Sequence, residues 1–252
     1  MGPTDQYPAL AARDVSVFFG GLAALSGVTL EVESGTRHGI LGANGAGKTT
    51  LFNVINGFIT PNTGTILIHG QDVTNLPPHR RAQLGLGRTF QITTLFEELT
   101  ALENVLMGAV VRVKHHRNFW RPAHRDEEAL DVAQEILQDL GLKRMMHTPV
   151  GELGYGEQRV LEIAVASALG SQILLLDEPT AGLSAAETTA VLELIERLPR
   201  RLTLVIIEHD LDVIFNVAER LTVLHFGERI ADGLAQAVRE DPIVREVYLG
   251  AG

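Results

Sequence analysis

Eight consecutive residues, Gly42-Ala43-Asn44-Gly45-Ala46-Gly47-Lys48-Thr49, fit G-x-x-x-x-G-K-[ST], the pattern of a phosphate-binding loop. Glycines at these spacings let successive backbone N–H groups turn inward as an anion nest. Lys48 is placed to reach the β- and γ-phosphates of a nucleotide, and the Thr49 hydroxyl to hold Mg²⁺. A second anchor lies far downstream, where the apolar run Ile173-Leu174-Leu175-Leu176 ends in Asp177-Glu178-Pro179. An apolar strand that delivers two adjacent carboxylates suits a metal-side acid, Asp177, beside a group that orients or deprotonates water, Glu178. Gln91 closes an extended segment, where its amide is suited to Mg²⁺ or water. His209 closes another apolar run, where its imidazole is suited to a γ-phosphate.

The pattern alone arises by chance, so the elements around it have to confirm it. His38-Gly39-Ile40-Leu41 reads as a buried strand, and Thr50 to Ile55 as a helix whose N-terminal dipole faces the loop. Strand, glycine loop and helix is the required order. Leu10 to Val17 reads as a strand broken by Phe18-Phe19-Gly20-Gly21, and Val28 to Val32 as a second strand with period two. Thr60 to Gly64 reads as a turn before a strand over 65–70, and Pro77-Pro78-His79 opens a short helix. The region of about 95–160 has a different character. It holds a helix over 102–111, a basic irregular stretch around Lys114 to Pro122, and an amphipathic helix over 127–140 with Leu130, Ala133, Leu137 and Leu140 on one stripe. It reads as a helical subdomain inserted into an α/β core. Helices are expected over 156–169, 185–197, 211–218 and 234–239. Ile173–Leu176 reads as a central parallel strand and Leu202–Ile207 as another buried strand. A hairpin is expected around Phe226-Gly227-Glu228, and the chain closes in a short tail.

The composition limits the function. The chain has 252 residues, a net charge of −10 and a pI near 5.4, a balance that argues against a nucleic-acid partner. There is no cysteine, so disulfides and thiolate metal sites are excluded, in keeping with a reducing cytoplasm. No signal pattern and no apolar run of membrane-spanning length is present, so any membrane-spanning part belongs to another chain.

The motifs Gly42–Thr49, Gln91, Leu153-Gly154-Tyr155-Gly156-Glu157-Gln158, Asp177-Glu178 and His209 stand in the order of an ABC ATPase, which the chain resembles over nearly its whole length. The resemblance implies one domain over 8–250, a P-loop α/β core with an antiparallel β subdomain and a helical subdomain over about 95–160. It implies ATP and Mg²⁺ as ligands. The loop Gly42, Ala43, Asn44, Gly45, Ala46, Gly47, Lys48, Thr49 and Thr50 is then expected to bind nucleotide. Lys48, Glu178 and His209 are expected to be catalytic, and Thr49, Gln91 and Asp177 to hold the metal. Gly154, Tyr155, Gly156 and Glu157 correspond to the family signature, implied to bind ATP held by the opposite subunit of a head-to-tail dimer. Phe19 is implied to stack on adenine, with Phe18 its neighbouring competitor. There are two departures from the family pattern: Gly154 stands where the signature serine is usual, and Ser184 where many relatives carry an aspartate.

Phe19-Gly20-Gly21-Leu22, Gly87-Arg88-Thr89-Phe90-Gln91, Tyr155-Gly156-Glu157-Gln158-Arg159, Glu208-His209-Asp210 and the ending Val247-Tyr248-Leu249-Gly250 narrow the resemblance. They are similar to the ATP-binding subunits of branched-chain amino acid importers, a group that includes urea and short-amide importers. The ATPase of lipopolysaccharide export is also similar, but shorter in the insertion after Gly108. This resemblance implies transmembrane permease subunits, a second ATPase subunit (a related chain or a second copy) and a periplasmic solute-binding protein as partners. It places the chain at the cytoplasmic face of the inner membrane. Two rivals remain open at this point. One is a soluble ABC ATPase acting on DNA or ribosomes, against which stand the acidic balance, the single ATPase unit and the lack of a heptad run. The other is an inactive, ATP-gated module, motivated by Gly154.

Overall fold

Apolar residues at alternate positions near the N-terminus build an outer antiparallel sheet. In the computed structural model, which describes residues 7–89, 95–114 and 127–249, β1 (Leu10–Phe19) pairs with β2 (Leu22–Val32) and with β4 (Thr63–Ile68). β5 (Gln71–Asp72) completes the order β2-β1-β4-β5. β1 does not break at Phe18-Phe19. The strand runs through both, and only Gly20-Gly21 turns, with Phe19 opposite Leu22. Pairing of backbone groups across the hairpin outweighs the local loss of alternation.

The second sheet carries the chemistry. It contains β3 (Arg37–Leu41), β6 (Leu86–Arg88), β7 (Ile173–Asp177), β8 (Thr203–Glu208), β9 (Arg220–His225) and β10 (Glu228–Leu234), in the order β10-β9-β3-β8-β7-β6. All neighbours are parallel except the β9–β10 hairpin. β7 is paired on both edges but lies next to the sheet's rim strand, so the central positions belong to β3 and β8. Period two sorts its side chains onto two cores. Ile40, Ile173, Leu175, Val205 and Ile207 face α1 (Lys48–Asn56) and the outer sheet. Leu41, Leu174, Leu176, Leu204 and Ile206 face the helices on the other side. Both faces are covered, which is why these strands read as continuous apolar runs.

Those helices are α5 (Tyr155–Ala168), α6 (Ala185–Arg197) and α7 (Leu211–Val217). α3 (Ala101–Lys114) and α4 (Glu127–Asp139) pack on α5 and form the helical layer expected between 95 and 160. Ala129, Ala133, Leu137 and Leu140 are its buried stripe on the α4 side, with Leu130 half-buried. α2 (Pro78–Gln83) supplies Arg81, which is fully buried. Its Nη1 donates to the carbonyls of Val54 and Ile55, and its Nε and Nη2 to those of Leu76 and Thr74. Arg81 thereby adds donors to carbonyls at the end of α1, where the helix itself supplies few. The short closing tail is helical up to Leu249. After α8 (Ala235–Glu240), α9 (Pro242–Val244) is capped by Asp241 and widens into a π turn over Arg245–Leu249. No helix among the described residues is long and apolar enough to cross a membrane.

Candidate active site

Three adjacent strands bring the motifs together. β3, β8 and β7 lie side by side and parallel, so the segments that follow them emerge at one edge of the sheet. Gly42 follows β3, His209 follows β8 and Glu178 follows β7. Ligands of open α/β sheets bind at this carboxyl edge.

The phosphate loop is shaped by its glycines. Gly45 has φ 81° with open space around it, and Gly47 has φ 100° with Ala24 O only 2.7 Å from where a Cβ would stand. α1 starts at Lys48, two residues earlier than the apolar pattern suggests, because Gly47 caps it in the left-handed region. Ala43, Asn44, Gly45 and Thr49 are exposed, Thr50 is half-buried, and Gly42 and Ala46 are buried. Lys48 is buried and folds back on the loop, Nζ donating to Gly42 O at 2.6 Å and Ala43 O at 3.1 Å. Burial lowers the Lys48 pKa, while Glu178, Asp177 and Glu208 nearby raise it. A phosphate taking Lys48 would have to draw the ammonium from those two carbonyls.

Asp177 is almost fully buried, and its Oδ2 accepts from Arg88 Nη2 at 2.8 Å. Arg88 Nη1 also donates to Asn53 of α1 at 2.9 Å, so one guanidinium joins β6, β7 and the phosphate-loop helix. Glu178 takes φ 45°, a left-handed conformation uncommon outside glycine. Its Oε1 lies 3.5 Å from His209 Nδ1, and Glu208 Oε2 lies 3.9 Å from the same nitrogen. Glu208 is fully buried and accepts from Thr180 N and Oγ1. Burial raises its pKa, against the hydrogen bonds from Thr180.

Three carboxylates, Asp177, Glu178 and Glu208, thus stand near the cations Lys48 and Arg88. An excess of negative charge fits a divalent cation. Among the described residues no cluster of three His, Asp or Glu side chains forms a complete metal cage. A Mg²⁺ ion would need only one or two protein oxygens there, the rest of its ligands being phosphate oxygens and waters. Gln91 lies outside the described residues.

The signature stretch caps α5. Gly154 is the N-cap, and Glu157 turns back so that its Oε2 accepts from Gly154 N at 2.9 Å. Gly156 N donates to Glu187 Oε1 at 3.2 Å. The amides of Gly154 and Gly156 are thus already bonded, and the helix start leaves those of Tyr155 and Glu157. Tyr155 is exposed, beside Gly182. Ser184 caps α6 and shares a reciprocal box with Glu187, which accounts for a serine at this position. Phe18 and Phe19 are both about half exposed at the rim of the outer sheet, so neither is a core aromatic. A cleft of about 770 Å³ opens among Arg112, Glu135, Asp139 and Arg201, and no motif residue lines it.

Arg88, Arg159, Glu208 and Tyr248 lie within the sequence motifs, but their roles emerge only from the structure. Tyr248 Oη accepts from Ala43 N at 2.9 Å and donates to Leu224 O at 2.7 Å, pinning the phosphate loop from 205 residues away. The signal lay in motif membership alone, because the partners that tie these residues to the site are mostly remote in sequence.

Residues 25–181 match the family ABC transporter, and residues 228–252 match the branched-chain amino acid ATP-binding cassette transporter. The high-affinity branched-chain amino acid transport ATP-binding protein BraF of Pseudomonas aeruginosa is 38% identical over 256 residues, covering 96% of this chain and 98% of that protein. Among solved structures, the ADP conformation of an ABC transporter's ATP-binding cassette aligns with TM-score 0.82 at 31% identity, over 96% of this chain and 99% of that one. A dimeric post-hydrolysis cassette bound to ADP and Pi aligns with TM-score 0.72 at 26% identity, over 90% and 98%. The fold and the order of its motifs are those of an ABC transporter ATPase, a protein that binds ATP. Within that class, the chain belongs to the ATP-binding proteins of the branched-chain amino acid family.

Proposed function

We propose that the chain hydrolyses Mg²⁺-ATP to energise uptake of small polar solutes, branched-chain amino acids first among them, through separate permease subunits. The observation that carries this reading is the placement of Lys48, Glu178 and His209 after three adjacent parallel strands. The loop amides and Lys48 bind the β- and γ-phosphates. Thr49, Asp177 and Gln91 would hold Mg²⁺, which would neutralise phosphate charge. Glu178 takes a proton from the attacking water, and His209, 3.5 Å from Glu178, offers its imidazole to the γ-phosphate. Tyr155 and Glu157, at the exposed N-terminus of α5, offer amides and a helix dipole to nucleotide on a second subunit. Phe19 offers its exposed ring to the adenine. The partners in this reading are a second ATPase chain, two permeases and a periplasmic solute-binding protein, with the cassette on the cytoplasmic face.

Phosphate release by the purified protein tests the motor. Turnover is expected to require Mg²⁺ and to fall at least ~10²-fold in Glu178→Gln, the scale of a lost general base. Unchanged turnover in that variant would move the catalytic role elsewhere. Leucine uptake into vesicles reconstituted with the permeases and binding protein, with urea as the competitor, tests the solute.

A further inference from the structure

We infer that Arg159 is a positioning residue for Glu178, linking the signature helix to the catalytic loop within one subunit. The Arg159 side chain is buried and reaches from α5 under the end of β7. Its Nη2 donates to Asp177 O at 2.9 Å and Glu178 O at 3.1 Å, and its Nε to Pro179 O at 3.2 Å. Three consecutive carbonyls therefore converge on one guanidinium.

Such convergence needs a bent backbone, and the bend is the left-handed Glu178, φ 45°. A non-glycine residue persists there only where its surroundings over-determine it. Here three holds act together. Arg159 takes the carbonyls, Ile207 O accepts the Glu178 N–H at 3.0 Å, and Glu208 accepts from Thr180. With the carbonyls turned toward Arg159, the Glu178 carboxylate lies on the side of His209. Arg159 also carries its own counterion, Glu162 at 2.7 Å on the next turn of α5. The pair is close to neutral as seen from the loop, so its action on Glu178 is geometric rather than electrostatic.

The same helix begins at Tyr155, four residues or about 6 Å along the axis from Arg159. Contact made at the helix N-terminus is thus carried as a rigid shift to the carbonyls that set the Glu178 conformation. This inference rests on the proposed roles of Glu178 and the signature stretch. Wild-type and Glu178→Gln turnover, measured first, decide that reading separately from this one.

The test uses Arg159→Gln and Arg159→Lys in the full chain, with turnover, ATP KM and fluorescent-nucleotide affinity. Displacing a reacting group by about 1 Å costs on the order of 10²-fold. Arg159→Gln is therefore expected to lower kcat ~10- to 100-fold while nucleotide affinity and KM stay within ~3-fold. Arg159→Lys, which keeps charge but not the fork, is expected to fall between. Groups that act as a unit are not additive. In the Glu178→Gln background, Arg159→Gln is accordingly expected to reduce the residual turnover no further. Unchanged kcat in Arg159→Gln would overturn the inference, as would multiplying losses in the double variant. Loss of nucleotide binding in both the Gln and the Lys variants would also overturn it, because Arg159 would then be holding the fold at large.

Discussion

Gly154→Ser is the substitution whose consequences the structure specifies most fully. Gly154 has φ −64° and ψ 158°, an ordinary extended conformation for any L-residue, and a Cβ there would lie 3.6 Å from Glu157 Oε2, in normal contact. The serine side chain would therefore fit at the N-cap beside the Gly154 N to Glu157 bond that is already present. Glycine is itself a tolerable N-cap, so the gain in helix stability is only a few tenths of a kcal/mol. For a chain of this size that moves Tm by roughly 1 °C. The hydroxyl proton remains free, since a serine oxygen can accept and donate together. Directed at a phosphate on the opposite subunit, it adds about 1.5–3 kcal/mol, the worth of a hydrogen bond to a charged group. The ATP concentration needed for half-maximal dimerisation should fall about 10- to 100-fold. The assay is dimer fraction by light scattering against ATP, with Glu178→Gln present in both versions to hold the nucleotide intact. Identical titrations for glycine and serine would refute the reasoning and show that the Tyr155 and Glu157 amides suffice. A large rise in Tm without tighter dimerisation would place the hydroxyl's effect within the helix alone.

Three further outcomes are expected. Lys48→Ala removes the cation buried in the phosphate loop, and nucleotide titration should show binding lost or severely weakened; wild-type affinity would refute the loop assignment. Tyr248→Phe removes both hydrogen bonds that pin Ala43 to Leu224; urea unfolding should show a loss of about 1–2 kcal/mol and ATP titration a few-fold weaker binding, and no change in either would mean the clamp is idle. His38 is fully buried, with Nε2 2.8 Å from Thr222 Oγ1, and desolvation holds its pKa down at about 4. Because the unfolded chain keeps a pKa near 6.5, it binds more protons than the native state between those values, so stability falls as pH drops through that window, by about 1.4 kcal/mol per unit and ~3 kcal/mol in all. His38→Gln should flatten that slope in unfolding experiments at pH 4.5 to 6.5, and an unchanged slope would assign it to other groups.

The sequence by itself determined the phosphate loop, the acid pair and the family. These are local patterns: glycines and Lys48 within eight residues, two carboxylates after four apolar residues, an amphipathic stripe on α4. It also placed α6 at 185–197, and the structure adds the Ser184–Glu187 capping box that fixes its start. Tertiary structure decided everything that depends on strand order. That Glu178, His209 and Lys48 share an edge follows from β7, β8 and β3 being neighbours, which no local pattern states. It decided that β1 continues through Phe18-Phe19, since pairing with β2 outweighs local composition. It also decided that Gly154 N–H is already taken, and that Arg88, Arg159 and Tyr248 hold the site from partners 18 to 205 residues away. Where Arg159 and Tyr248 bond backbone carbonyls, the accepting positions carry no sequence pattern, because every residue offers the same carbonyl.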